Sequence, residues 1–241
     1  MSLPWMEIRR FNTVDNGYLL IDRHIHSLWT DGEGTLEQII LKAENLGLKQ
    51  IAFTDHIRKS STYFDNYYST IETLRKKHNL EILIGCEAKI KDFDGELDIP
   101  QNVIEKAEII IASVHRFPLG RGLHSPKEFN KDVCQKIELE LIMSAINNTN
   151  NRANILGHVG GMSIRAHNEF PMKFFEEIII ECNKSNKVFE INYSYHFNIF
   201  NELKEVLKIH NPFVIFSSDA HKIDHVGIWS NILMENKCLI H

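Results

Sequence analysis

The chain has 241 residues, 43% of them hydrophobic, and a formal net charge of −5. That length suits one large domain, expected to span residues 1–241 with a core from about 18 to 227, since α/β barrels often run to roughly 200–250 residues as a single unit. The acidic balance and the lack of a long basic run argue against binding of long nucleic acid by charge alone; Arg9-Arg10 and Arg75-Lys76-Lys77 are short.

Short apolar runs alternate with helix-period segments along the chain. Strands are predicted at Tyr18–Asp22, Gln50–Thr54, Glu81–Cys86, Ile109–Val114, Ala153–Leu156, Val188–Asn192 and Phe213–Ser217. Helices are predicted at Leu36–Leu48, Tyr67–Lys77, Pro126–Asn147, Met172–Asn183 and Ile199–Ile209. Thr35 followed by Gln38 has the spacing of a capping box, and Gly47 and Pro212 stand where helices should stop. Asp92-Phe93-Asp94-Gly95 reads as a hairpin turn and Gln101–Lys106 as a short helix. Seven strands alternating with helices argue for a parallel sheet.

Six of the seven strands deliver a metal-type side chain at or just past their C-terminal end. In chain order the set is His24, His26, Asp31, His56, Glu87, His115, His158, Asp219 and His221. The sixth strand delivers Glu190, Asn192 and Tyr193 instead. In an α/β barrel, reactive groups from separate strands converge on that C-terminal face, whereas an open doubly wound sheet would scatter them along a line. Imidazole with carboxylate suits zinc, manganese or iron better than calcium or magnesium. Nine such groups exceed the demand of one tetrahedral site, so two to three divalent ions are expected. Clusters of this kind serve hydrolytic phosphate chemistry.

The local patterns differ in weight. His24 and His26 leave one face of an extended segment, and Asp22 is placed to orient a ligand ring. Asp55 and Asn192 are read as further supports of the ligands. Glu87 follows the apolar run Ile82-Leu83-Ile84-Gly85-Cys86, where a carboxylate is expensive unless it is paired or metal-bound, and its two oxygens can bridge two cations. His158 sits behind Gly157, which permits close backbone approach. Asp219 and His221 repeat the alternating spacing of His24 and His26.

Arg116 and Arg165 are candidates to clamp a phosphate through their forked donors. His124, His167, His196 and His225 fall in predicted loops, while His78, His210 and His241 read as solvated. Cys86, Cys134, Cys182 and Cys238 form no C-x-x-C pair, which favours buried thiols in a reducing compartment. With neither a membrane-length apolar run nor the apolar core of a signal peptide, a cytoplasmic location is the expectation; Met1-Ser2-Leu3 reads as an expression remnant.

The ordered set Asp22-x-His24-x-His26, Thr54-Asp55-His56, Gly85-Cys86-Glu87, Ser113-Val114-His115, Gly157-His158 and Ser218-Asp219-Ala220-His221 resembles the PHP (polymerase and histidinol phosphatase) superfamily over residues 18 to about 227. The resemblance implies a distorted, TIM-like (β/α)7 barrel with a trinuclear site. It also implies that His24, His26, Glu87 and Asp219 serve one metal, that Glu87, His115 and His158 serve a second, and that Asp31, His56 and His221 serve a third. Only 31 residues separate His56 from Glu87, leaving no room for the helical insertion that marks members acting on nucleotides and RNA ends. The chain therefore looks like the compact phosphatase branch, which includes histidinol-phosphate phosphatases.

The function expected is a metal-dependent phosphatase of a small phosphomonoester, with histidinol phosphate among the candidates and with Glu87, Asp219 and His221 as the catalytic set. A hydroxide held between two metals would attack phosphorus in line while the cations neutralise charge on the phosphoryl oxygens. The rival readings are a phosphodiesterase or exonuclease, and a barrel that keeps its metals for structure or regulation. Oligomeric state is not legible in the sequence.

Overall fold

A computed structural model describes residues 7–235. Met1-Ser2-Leu3, Cys238 and His241 lie outside the described residues. The strands are β1 (Arg9–Arg10), β2 (Ile21–Ile25), β3 (Gln50–Phe53), β4 (His56–Ile57), β5 (Glu81–Lys89), β6 (Ile109–Ser113), β7 (Phe117–Leu119), β8 (Gly122–His124), β9 (Ile155–Leu156), β10 (Val188–Asn192) and β11 (Phe213–Ser217). The helices are α1 (Leu36–Asn45), α2 (Phe64–Arg75), α3 (Gln101–Lys106), α4 (Lys131–Asn147), α5 (Gly161–His167), α6 (Met172–Ser185), α7 (Tyr193–His196), α8 (Phe200–His210) and α9 (Ile228–Glu235).

Seven strands pair in parallel, in the order β2, β3, β5, β6, β9, β10, β11, which is also their order in the chain. That is the order of a singly wound sheet, and it matches the seven strands predicted. The two ends of this path meet again past their carboxyl termini. Ile25 bridges to Ala220, His26 N donates to Ala220 O at 2.9 Å, and Ala220 N donates to His24 O at 3.3 Å. β1 adds an antiparallel edge to β11, and β4 pairs with the end of β5.

Strand periodicity explains how this sheet makes both a core and a site. A small buried cluster gathers Ala52, Leu83, Ile109, Ile111, Ile155, Val188 and Ile215, drawn from six parallel strands. Counting on by twos along the same strands reaches Glu87, Ser113, Gly157, Glu190, Asn192 and Ser217. Successive even steps stay on one face of a strand. The inward face is therefore apolar at its amino end and polar at its carboxyl end. The opposite face packs on the helices in a larger cluster that includes Ile82, Ile84, Phe189, Ile191 and Phe216.

Local signals account for the element boundaries. The expected capping box forms, with Gln38 N donating to Thr35 Oγ1 at 3.2 Å and Thr35 N to Gln38 Oε1 at 3.0 Å. The Asp92–Gly95 turn forms beneath an Ile90–Leu97 bridge, with Gly95 at φ 75°. The first strand begins at Ile21 and not at Tyr18, because Asp15 accepts from Tyr18 N at 2.9 Å and holds a turn there. The helix expected from Pro126 is split. Pro126–Glu128 is one 3-10 turn, and α4 starts afresh where Asn130 Oδ1 accepts from Val133 N at 3.1 Å. Cys86, Cys134 and Cys182 are free and buried. His78 and His210 are not simply solvated, since they pair with Glu44 and Glu176. Among the described residues no helix is long and apolar enough to cross a membrane.

Candidate metal centre

Glu87 lies at the middle of the polar end of the barrel and is 1% exposed. Its Oε1 is 2.8 Å from His158 Nε2 and 3.2 Å from His115 Nε2. Its Oε2 is 2.8 Å from His56 Nδ1, 3.6 Å from His26 Nε2 and 3.7 Å from His24 Nε2. Burial alone would raise this carboxyl, but the facing rings of His115 and His24 outweigh it and hold Glu87 well below the usual carboxylate range.

The other acids complete two further knots. Asp219 Oδ1 is 3.3 Å from His26 Nε2 and 3.6 Å from His24 Nε2. Asp31 Oδ2 is 3.2 Å from His56 Nε2 and 3.4 Å from His221 Nε2, and its Oδ1 is 3.6 Å from His26 Nδ1. All nine side chains singled out in the sequence are thus brought together. Three groups have donor atoms within 4.8 Å of one another: His24 with His26 and Asp219; His56 with Glu87 and His115; and His26 with Asp31, His56 and His221. The grouping differs from the expected partition: Glu87 does not join His24, His26 and Asp219, His158 falls in none of the three groups, and His26 and His56 are each shared between two. His56 presents Nδ1 to Glu87 and Nε2 to Asp31, so it stands between two groups and does not belong to one alone.

The donor set fits divalent transition metals. His24 Nε2 and His26 Nε2 face each other at 3.1 Å, and two neutral rings with lone pairs inward need a cation or a proton between them. His26 Nδ1 and His158 Nδ1 are buried with no hydrogen-bond partner. Five ring nitrogens crowd one carboxylate, more than its two oxygens can serve by hydrogen bonds alone.

The backbone is bent to deliver these groups. Among the described residues only five non-glycines have positive φ. Three are asparagines that close helices α5, α6 and α8, and the other two are His158 at 27° and Asp219 at 52°. Such conformations each cost about 1–3 kcal/mol and persist where the surroundings over-determine them. Gly157 allows the first. A Cβ there would overlap Ser113 Oγ and the Ile111 side chain, so β6 and the chain leaving β9 approach closely, in line with the expectation for Gly157.

The supporting residues divide differently from the sequence reading. Asp22 reaches no imidazole. Its Oδ1 accepts from Ser218 N at 3.0 Å and its Oδ2 from Gly227 N at 2.8 Å, so it pins the loop that carries Asp219 and His221. The part expected of it belongs to Glu190, whose Oε1 receives His24 Nδ1–H at 2.6 Å and fixes Nε2 as the free nitrogen. Glu190 also accepts from Ser217 Oγ, His158 N and Asn192 Nδ2. The parity of Glu190 with Asn192, inside an apolar strand, was the available signal. Asn192 Nδ2 donates on to Asp219 Oδ2 at 3.3 Å. Asp55 accepts from Ser27 N, Ser27 Oγ and Thr30 Oγ1 at 2.7–2.9 Å, fastening the loop that presents Asp31.

A cavity of about 470 Å3 opens over the cluster, and both Arg116 and Arg165 line it, with Lys127 and Tyr195. Neither Lys127 nor Tyr195 was singled out in the sequence. Arg165 stands near Tyr195, whose phenol burial pushes up to about 12. Helix α5, which carries Arg165, has no side-chain cap of its own. The buried Glu138 of α4 supplies it, accepting from Met162 N at 3.0 Å, Ser163 N at 2.7 Å and Ser163 Oγ at 2.5 Å. His196 is structural, since Asn192 N donates to its Nδ1 and its Nε2–H donates to Val159 O.

Fold and site together define an α/β protein with clustered histidines and acids that could hold metal at the carboxyl end of its parallel strands. Residues 22–194 match the PHP domain model. The chain belongs to the PHP domain family. It is similar to a protein named probable phosphatase from Caldicellulosiruptor bescii, 27% identical over 223 residues, covering 87% of this chain and 83% of that protein. Another of that name, from Clostridium botulinum (strain Langeland), is 30% identical over 217 residues, covering 86% and 81%. The solved histidinol phosphate phosphatase of Lactococcus lactis, in complex with zinc, L-histidinol and phosphate, shares the fold at a TM-score of 0.69 and 21% identity, over 90% of this chain and 93% of that one.

Proposed function

We propose that the protein is a metal-dependent phosphomonoesterase acting on a small phosphorylated metabolite. The observation that carries the reading is the buried Glu87 carboxylate facing ring nitrogens of five histidines beneath a cavity lined by two arginines. The common name of the curated relatives supports it. The cavity volume is in the range of small-molecule sites.

Two to three divalent ions, zinc, manganese or iron, would be held by the three partly shared ligand groups, with Glu87 bridging. When bound, they supply charge that neutralises phosphoryl oxygens and they bring a water's pKa towards neutrality. The protein's own groups do the rest. Glu87 stays anionic and offsets the repulsion between neighbouring cations. Glu190 holds the proton of His24 on Nδ1, so that Nε2 is left to coordinate. The His221 Nδ1–H donates to the Asp219 carbonyl at 3.0 Å, leaving its Nε2 facing Asp31. Arg116 and Arg165 present forked donors that match phosphoryl oxygens. Tyr195 keeps its proton at neutral pH and can donate it to a substrate oxygen.

Glu87→Gln tests the reading. Gln keeps the shape and loses the charge, so one metal equivalent should be lost and turnover of p-nitrophenyl phosphate should fall by at least about a hundredfold, the scale of removing one preorganised electrostatic element. Full metal content with normal turnover refutes the bridging role. Fully metallated wild type that cleaves neither p-nitrophenyl phosphate nor bis-p-nitrophenyl phosphate refutes the hydrolase reading. Faster cleavage of the diester replaces it with a phosphodiesterase.

A further inference from the structure

The cavity over the metal centre carries more positive charge than a phosphoryl group needs. Arg116, Lys127 and Arg165 line it, and its only carboxylates are Asp31, Glu87 and Asp219, all committed to the imidazole cluster. Among the described residues none of the three cations has a carboxylate within salt-bridge distance. Glu128, beside Lys127 in sequence, is turned to His124 Nδ1 at 2.9 Å and to Ser125 N at 2.7 Å.

The three cations differ in where they stand in the chain. Arg116 directly follows His115, and Arg165 lies on the helix that begins three residues after His158. Both are tied to segments that end in candidate metal ligands, which suits them to the reacting phosphoryl group. Lys127 comes from neither segment. It sits on the 3-10 turn Pro126–Glu128, which is fixed by the Ser125–Glu128 capping box and by the buried Pro126 and packs against α5. Lys127 is thus an exposed cation on a fixed turn at the cavity rim, free to meet charge on a bound molecule outside the phosphoryl group.

We propose that Lys127 is a specificity-determining residue that binds a second anionic group, a carboxylate or a further phosphate, on the alcohol released by hydrolysis. The inference rests on the phosphomonoesterase reading and narrows it. With three cations and no uncommitted carboxylate, the wall favours an anionic alcohol, tolerates a neutral one and disfavours one bearing an ammonium or imidazolium.

Matched substrates on the fully metallated protein test this. 3-Phosphoglycerate against glycerol 3-phosphate reads a carboxylate, fructose 1,6-bisphosphate against fructose 6-phosphate reads a second phosphate, and phosphoethanolamine supplies the cationic arm. Wild type should prefer at least one anionic member by about tenfold or more in kcat/KM, largely through KM, and should use phosphoethanolamine least. Lys127→Ala should erase that preference while leaving the neutral esters, inhibition by inorganic phosphate and metal content unchanged. Lys127→Glu should reverse it in favour of phosphoethanolamine. Equal use of all arms by wild type, or a preference that survives Lys127→Ala, overturns the inference and leaves the phosphomonoesterase reading standing. If no ester is cleaved, p-nitrophenyl phosphate included, that reading fails and the inference falls with it.

Discussion

Glu190→Gln separates a residue that organises the ligands from one that merely fills the strand. Glu190 is fully buried and accepts four hydrogen bonds: His24 Nδ1 and Ser217 Oγ reach Oε1, while His158 N and Asn192 Nδ2 reach Oε2. An amide has one oxygen, so one pair of donors must face an NH2 group. The His158 backbone N–H cannot reverse its polarity. The Ser217 hydroxyl can rotate, and His24 can move its proton to Nε2. The NH2 group is therefore expected on the Oε1 side, and its cost falls on His24, whose protonated Nε2 can no longer coordinate. Losing a supporting partner of a ligand typically weakens metal binding by about 10–100-fold, or roughly 1.4–2.7 kcal/mol at 1.36 kcal/mol per decade. Competition calorimetry with a chelator on wild type and Glu190→Gln measures the difference, and far-UV circular dichroism checks that the fold persists. Unchanged affinity at every site in a folded variant refutes the tautomer argument.

Other outcomes follow from the same geometry. Purified protein should carry two to three equivalents of transition metal; elemental analysis that finds at most one in active protein rejects the cluster. Chelation should abolish activity yet leave most secondary structure, because the apolar clusters do not depend on the ligands; loss of the far-UV signal on chelation contradicts this. Alanine at Arg116 and Arg165 should raise KM for phosphomonoesters without altering metal content, and unchanged kinetics in both variants would remove them from the site. Metal uptake should release protons at pH 7. Burial would lower His56, but Asp31 and Glu87 outweigh it and raise the ring to about 10 in the metal-free protein. That stabilising charge is fully present below the unfolded value near 6.5 and is lost as pH rises through about 10, while coordination needs the neutral ring, so apparent metal affinity should climb across that window. Calorimetric enthalpies in two buffers of different ionisation enthalpy count the protons, and a buffer-independent enthalpy contradicts the competition.

Much of this arrangement is legible in the amino-acid sequence. The seven parallel strands follow from apolar runs separated by helix-period segments, and five of the seven keep their predicted first residue, at Gln50, Glu81, Ile109, Val188 and Phe213. The candidate ligand residues, apart from Asp31 in the loop after β2, are legible because each stands at or just past the carboxyl end of such a run. What the sequence hides depends on tertiary contact. Asp22 is two residues from His24, and period two suggests a partnership, but a register shift in β2 between Asp22 and Ile25 leaves its carboxylate on the Ser218 and Gly227 amides. Glu190 meets His24 across 166 residues of sequence, a distance no local pattern reports. Lys127 and Tyr195 reach the cavity from short helical turns that carry too few residues to show a period.

The polar end of the barrel sets a problem that metal ions would resolve. Four acids, Asp31, Glu87, Glu190 and Asp219, and six imidazoles, His24, His26, His56, His115, His158 and His221, share one small region, and most of them are buried. Protons satisfy it in part: the facing acids raise His24, His56, His158 and His221, whereas burial lowers His26 and His115. Asp31, Glu87 and Asp219 are all held below the ordinary carboxylate range against the opposing effect of burial, so the charge is fixed and must be matched. Two candidate ligand residues also sit in positive-φ conformations. The strained backbone weakens the metal-free state. Binding ions only to the folded form returns stability as RT ln(1 + [L]/Kd), about 2.7 kcal/mol at a hundred times Kd. That is comparable with the roughly 2–6 kcal/mol of strain expected from two such residues. The apolar inner layer and the helix-facing core hold the barrel's shape, while the ions are expected to hold its carboxyl end. Chelation should therefore loosen the loops around His158 and Asp219 ahead of the strands beneath them. Amide hydrogen exchange with and without chelator reads this directly: equal protection of those loops in both states would show that the protein orders its ligands without the metals.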